Sequence, residues 1–218
     1  MNINIINGRK TSNFSKSPKV LVDVYRSTST MPIMLKQGAR YIIPVGTVAA
    51  AKKLKEEHSD YIIAGERYGF KIPGFDMSNS PYESANTDFA NRVVIFTSTN
   101  GTKVLQKIKE SELIMVASFV NIDSTVNKIL ELNPENLDIV TSGRPDGEAD
   151  EDLYFAIALK GSLEGNVNMV DEYINKTREG KGTKRLSMIG GARDVEYSLK
   201  RDFANFPVVY HKGIIEKM

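Results

Sequence analysis

Lys19-Val20-Leu21-Val22-Asp23-Val24, followed by Tyr25-Arg26-Ser27-Thr28-Ser29-Thr30, is the stretch on which the fold turns. A short continuous apolar run marks a strand buried on both faces. The polar segment after it leads into Met31–Gly38, which reads as a helix. Ser29 or Thr30 is expected to cap it, Pro32 to sit in its first turn and Gly38 to end it.

The same unit of strand, polar loop and helix recurs along the chain. Tyr41–Pro44 precedes the helical pattern Val48–His58, and Tyr61–Gly65 precedes a long loop, Glu66–Pro81. Arg92–Thr97 leads to Thr102–Lys109, Leu113–Ser118 to Ser124–Leu132, and Leu137–Thr141 to Glu151–Lys160. Met1–Ile6 alternates like a strand, Val167–Glu179 and Asp194–Arg201 read as helices, and Pro207–Tyr210 as a last strand. Strands alternating with helices predict an α/β fold of three αβα layers around a mostly parallel sheet. No linker divides residues 1–218, which read as one domain with 161–218 as a candidate subdomain. In such a sheet ligands bind at the carboxyl edge of the strands, where the following loops gather.

Composition excludes whole chemistries. The 218 residues contain no Cys, so thiol nucleophiles, disulfides and thiolate metal sites are absent. The two histidines, His58 in a charged helix end and His211 near the C-terminus, do not suit a catalytic triad or a His-rich metal centre. Lys plus Arg number 29 against 27 Asp plus Glu, a net charge of +2, too balanced for a surface built to grip nucleic acid or an anionic membrane. The start shows no signal-peptide pattern and no apolar stretch reaches the ~20 residues of a membrane span, so a cytoplasmic protein is expected. Any anion site must be a local cluster.

Such clusters sit in the loops. Thr97-Ser98-Thr99-Asn100-Gly101-Thr102 joins a strand to a helix and reads either as a phosphate cradle at a helix N-terminus or as an ordinary capped helix. It is not GxxxxGK[ST], which argues against a nucleotide P-loop. After Lys19–Val24, Asp23 could ligate a divalent cation or attack phosphorus, while Arg26 offers a bidentate fork to an anion. The alternative leaves Asp23 satisfied by backbone amides and Arg26 on the surface. The loop lacks the Asp-x-Asp of haloacid-dehalogenase phosphatases. Glu66 and Arg67 open the 16-residue loop, where they read either as functional groups or as a structural ion pair, and Lys71 lies within it. Arg144 precedes Asp146, Glu148, Asp150, Glu151 and Asp152, five carboxylates in seven residues, of which one or two could join Asp23 or Glu66 around Mg²⁺.

Taken in order, Asp23-Val-Tyr-Arg26, Gly65-Glu66-Arg67…Lys71-Ile-Pro-Gly-Phe75-Asp76…Asn79-Ser80-Pro81, Thr99-Asn100-Gly101-Thr102, Ala117-Ser118-Phe119-x-Asn121, Gly143-Arg144…Glu151-Asp152 and the tail Asp194-Val195…Asp202…Pro207…Gly213 closely resemble the 2-phosphosulfolactate phosphatase family. The resemblance spans roughly residues 20–213. It implies a Mg²⁺-dependent phosphatase that converts 2-phosphosulfolactate to sulfolactate and phosphate, a step of coenzyme M biosynthesis. Catalytic roles then fall on Asp23, Arg26 and Arg144. Ser29, Thr30, Arg67, Lys71, Asn100, Gly101, Thr102, Ser118 and Asn121 become candidates for holding the substrate, and Asp23, Glu66, Glu151 and Asp152 for the metal. The implied partner is a small polyanion, and a homodimer stays open. A non-catalytic receptor for a small organic phosphate or sulfonate is the competing expectation, since fold alone does not fix function. A pure anion receptor would gain nothing from acidic groups facing a polyanion unless a metal lay between them.

Overall fold

The computed structural model describes residues 1–145, 147 and 149–218. Its elements begin with β1 (Asn2–Asn7), β2 (Lys19–Val22), α1 (Ser27–Lys36), β3 (Tyr41–Pro44), α2 (Val48–Glu57), β4 (Ile62–Arg67) and β5 (Phe70–Lys71). Next come α3 (Pro81–Ala85), β6 (Val93–Thr97), α4 (Gly101–Ile108), β7 (Ile114–Ala117), α5 (Ile122–Leu132), β8 (Asn136–Thr141) and α6 (Asp150–Leu163). The chain closes with α7 (Met169–Glu179), α8 (Lys181–Met188), α9 (Ala192–Ser198), β9 (Val208–His211) and β10 (Ile214–Lys217). Among the described residues the strands form one sheet in the order β1-β8-β2-β7-β9-β10-β3-β6-β4-β5.

The α/β architecture, with a mostly parallel sheet between helices, is borne out. β1, β8, β2 and β7 run parallel, as do β3, β6 and β4. The period-2 alternation of each apolar run divides it between two cores. Val20 and Val22 pack on one side with α5 and α6, while Leu21 packs on the other with α1 and α4. Ile95 and Ile63 face a third cluster under α2, and Phe96 and Ala64 return to the α1 side.

The unforeseen part is how the two parallel blocks join. The C-terminal hairpin β9–β10 pairs antiparallel to both, β9 against β7 and β10 against β3. In hydrogen-bonding sense the β3-β6-β4 block therefore opposes the other. Strand-to-strand twist of about 20–25° accumulates to roughly 100–125° over the five steps from β2 to β6. That rotation swings the carboxyl end of β6 back towards that of β2, and the two loops meet: Asp23 Oδ2 accepts from the Gly101 amide at 2.8 Å.

Helix α1 fills the resulting concavity, with every residue from Ser27 to Leu35 buried. It starts at Ser27, before the expected Ser29/Thr30 cap, so Pro32 lies inside the helix and not in its first turn. The hydroxyls fold back instead of capping: Ser29 donates to the Val24 carbonyl at 2.9 Å and Thr30 to the Arg26 carbonyl at 3.0 Å. Such bonds satisfy hydroxyls in a buried helix. Among the described residues no helix is long and apolar enough to cross a membrane.

Candidate active site

Loops after β2, β4, β6 and β8 surround a cavity of about 160 Å³, and α8 forms its far wall. That is below the ~300–1,000 Å³ typical of drug-sized ligands and suits a small molecule.

Asp23 is a buried carboxylate of this cavity, 4% exposed. Its Oδ2 accepts from the Ser27 hydroxyl at 2.8 Å and from the Gly101 amide at 2.8 Å, so the first residues of α1 and α4 both bind it. Burial pushes its pKa up to about 6, and the Glu66 charge adds to the push, against the Ser27 and Gly101 donors that favour the anion. Gly101 is required here. A Cβ would stand 2.7 Å from Asp23 Oδ2 and 2.9 Å from Ser27 Cβ, with both groups pinned. Gly101→Ala is expected to cost about 1–3 kcal/mol as overpacking, read as a fall of several degrees in Tm.

Three further carboxylates are tied into the walls. Glu66 accepts from the Thr99 amide at 2.5 Å, the Thr99 hydroxyl at 2.9 Å and the Gly69 amide at 2.8 Å. Asp152 accepts from the Val24 and Gly143 amides at 2.9 and 3.1 Å, stitching the β2 loop to the β8 loop. Burial holds Asp152 well above the ordinary carboxylate range, reinforced by the charges of Asp23 and Glu151. Arg144 Nη2 donates to both oxygens of Glu151, at 2.5 and 2.7 Å. Burial and the adjacent Asp150 still push Glu151 up to about 7, against the pull of Arg144.

Arg26 is buried at the cavity edge, following a cis Tyr25–Arg26 peptide bond. It donates to Asp194 Oδ2 at 2.7 Å and to the Gly69 carbonyl at 2.6 Å. Asp194 also accepts from the Ser80 hydroxyl and, at 3.3 Å, from the Tyr82 amide.

The structure thus brings Asp23, Arg26, Glu66, Asn100, Arg144 and Glu151 to one cavity. It places the other candidates elsewhere. Ser29, Thr30, Ser118 and Asn121 are fully buried, and Asn121 bonds back to the Ser118 amide and the Val116 carbonyl as a local cap. Thr102 donates to the Ser98 carbonyl at 3.0 Å, and the amides of Gly101 and Thr102 are taken by Asp23 and Ser98. The expected phosphate cradle at this helix start is therefore filled by the protein's own groups. Arg67 turns to the opposite face of β4 from Glu66 and binds Thr97 Oγ1 at 3.0 Å, and Lys71 is exposed on β5. Asp146 and Glu148 lie outside the described residues.

Among the described residues no three acidic side chains come close enough to share a cation. Glu66, Asp152 and Glu151 receive donors on both carboxylate oxygens, whereas the Ser27 and Gly101 donors to Asp23 both reach Oδ2. What remains towards the cavity is Asp23 together with Asn79, a residue absent from the expected set. Asn79 is 2% exposed and its Oδ1 has no hydrogen-bond partner, while its Nδ2 donates to Ser27 Oγ at 3.4 Å. A buried acceptor without a donor is what a cation would satisfy. One carboxylate plus one amide oxygen is a donor set suited to Mg²⁺, which keeps water or substrate in its other positions.

Comparisons with known proteins bear on the family of the chain. The profile of the family described as 2-phosphosulpholactate phosphatase matches residues 4–213. A protein of Thermoplasma acidophilum is 41% identical over 98% of this chain and 94% of its own. One of Thermoplasma volcanium is 38% identical over 98% of both chains, and one of Clostridium acetobutylicum 31% identical over 90% of both. Each of the three is named a probable 2-phosphosulfolactate phosphatase. With nearly its whole length matched by the family profile and by these relatives, the chain belongs to the 2-phosphosulpholactate phosphatase family.

Proposed function

We propose that this protein is a Mg²⁺-dependent phosphatase that hydrolyses 2-phosphosulfolactate to sulfolactate and phosphate. In an organism that makes coenzyme M, the reaction would serve that synthesis in the cytoplasm. The observation that carries the reading is one cavity lined by buried Asp23, by Asn79 with its unpartnered Oδ1, and by Arg26 and Arg144. An anion receptor has no use for a buried carboxylate facing its ligand.

In the reaction, the oxygen of water bonds to phosphorus as the ester P–O bond breaks, and the leaving alcohol takes up a proton. Phosphoryl transfer of this kind depends on positioning and charge neutralisation, so the lack of Cys and of a His in the cavity is no obstacle. Asp23 and Asn79 would hold Mg²⁺, which when bound neutralises phosphate oxygens and acidifies a coordinated water. Arg144 is oriented by the two bonds from its Nη2 to Glu151, which leave Nη1 and Nε for the phosphoryl oxygens. Arg26, fixed by Asp194 and the Gly69 carbonyl, adds a second positive edge.

Phosphate release from 2-phosphosulfolactate with Mg²⁺ and with excess chelator tests the proposal. Release that depends on the metal is expected. Tight binding of the compound without turnover, under any divalent cation, would instead establish the receptor.

A further inference from the structure

Helix α8 was not foreseen, yet it turns four residues to the cavity at the spacing of one helical face. Gly182, Arg185 and Leu186, with Ile189 just beyond its end, follow i, i+3, i+4, i+7, and all four line the cavity. The helix is firmly seated. Asp150 Oδ2 and Oδ1 accept from the amides of Lys181 and Gly182 at 2.7 and 3.1 Å, and the hydroxyls of Thr183 and Tyr25 bond at 2.8 Å.

Gly182 sets how close the seat is. A Cβ there would collide with the Glu151 carboxylate and stand 2.6 Å from Arg144 Nη2. The backbone of α8 therefore rests against the Arg144–Glu151 pair, and Arg185 lies almost one turn further along the same helix face. Asp23 and Glu66 are buried, whereas Arg185 is exposed while lining the same cavity, which places it at the mouth.

We propose that Arg185 recognises the substrate's sulfonate, the strong anion on the carbon next to the one bearing the phosphate. This rests on the phosphatase reading and adds the origin of its selectivity. With the phosphate on the buried side beside Asp23 and Arg144, the rest of a small phosphorylated acid extends towards the mouth. The guanidinium is permanently charged, weakly hydrated and forked, so it can bind two of the three sulfonate oxygens while partly exposed. Its seat on α8 fixes which length of substrate brings a second anion within reach.

The test compares 2-phosphosulfolactate with 2-phospholactate, which lacks the sulfonate, in wild type and Arg185→Ala. KM for 2-phosphosulfolactate should rise about 10²-fold with kcat within about threefold, as expected when a contact made equally in ground and transition states is lost. KM for 2-phospholactate, which offers Arg185 no sulfonate, should rise no more than about threefold. Arg185→Lys, which keeps the charge without the fork, should fall between, with a rise of about tenfold. Equal losses on both substrates, or none on either, would overturn the assignment. Calorimetric binding of sulfolactate against lactate separates this proposal from the phosphatase reading, because it needs no turnover. Wild type should prefer sulfolactate and Arg185→Ala should not, whether or not phosphate is released, and an equal preference in both proteins would overturn the role of Arg185.

Discussion

Asp23→Asn is expected to lower phosphate release by roughly 10³-fold while leaving the metal-free protein at least as stable as wild type. The substitution keeps the shape of the side chain and an oxygen for the Ser27 hydroxyl and the Gly101 amide. It removes the charge that would hold a cation beside Asn79. A loss of ~4 kcal/mol of transition-state stabilisation corresponds to that factor. The stability expectation follows from linkage. The folded protein holds the Asp23 proton until about pH 6, against an ordinary value of 3.8. Between those values the folded state binds more protons than the unfolded one, so this group's contribution to stability falls as pH rises from about 4 to about 6 and stays lost above it. The cost is on the order of 3 kcal/mol at neutral pH, and the asparagine does not incur it. Thermal melts at pH 7 without metal should show Asp23→Asn melting several degrees above wild type. Added Mg²⁺ should raise the Tm of wild type only, since binding to the folded state stabilises by mass action. A variant that keeps a tenth of the activity, or one that melts lower without metal, would remove Asp23 from the centre of the site.

What the sequence could show follows from how burial writes itself into residue types. Lys19–Val24, Arg92–Thr97, Leu113–Ser118 and Leu137–Thr141 are apolar runs because both faces of those strands are covered, and each is a strand within a residue or two. Asp23, Asn100 and Arg144 stand at the carboxyl ends of three of them and Glu66 near the end of β4, so most of the cavity was legible as strand ends. Side-chain direction was not. A strand ending at Gly65 would leave Glu66 and Arg67 free to cooperate, but β4 runs on to Arg67, and its period of two sends neighbours to opposite faces. Ser27–Thr30 has the composition of a cap, and only the concavity formed by sheet twist makes it a buried first turn. Helix α8 follows no strand, and its Lys-Gly-Thr-Lys-Arg opening resembles a solvated turn. Arg185 carried no local signal of its place in the cavity, and Asn79, though within a stretch that carries the family resemblance, carried none of its role as an unpartnered acceptor.

Arg26 gives the second large effect, and its two variants should behave differently. Arg26→Ala leaves Asp194, 5% exposed, without the cation that neutralises it, while Asp194 still has to receive Ser80 and Tyr82 at the start of α3. Removing one partner of a buried ion pair costs about 3–5 kcal/mol. In a chain of this size that is a fall of roughly 10 °C in Tm, together with loss of activity. Arg26→Lys can keep the contact with Asp194 but has no second arm for the Gly69 carbonyl, which Arg26 holds at 2.6 Å. The β4–β5 turn, whose Gly69 amide binds Glu66 and whose Tyr68 amide binds the Thr99 hydroxyl, would lose one of its ties to the cavity wall. Stability should then drop by only about 1 kcal/mol, the net worth of one hydrogen bond. Turnover should fall further, by roughly 10²-fold in kcat, because a guanidinium aimed at charge growing on the phosphoryl oxygens contributes most in the transition state. The ratio of the two effects decides what Arg26 is. If Arg26→Lys retains wild-type kcat and KM, then Arg26 is a clamp between Asp194 and the hairpin, and neutralisation of the phosphoryl group must come from Arg144 and the metal alone.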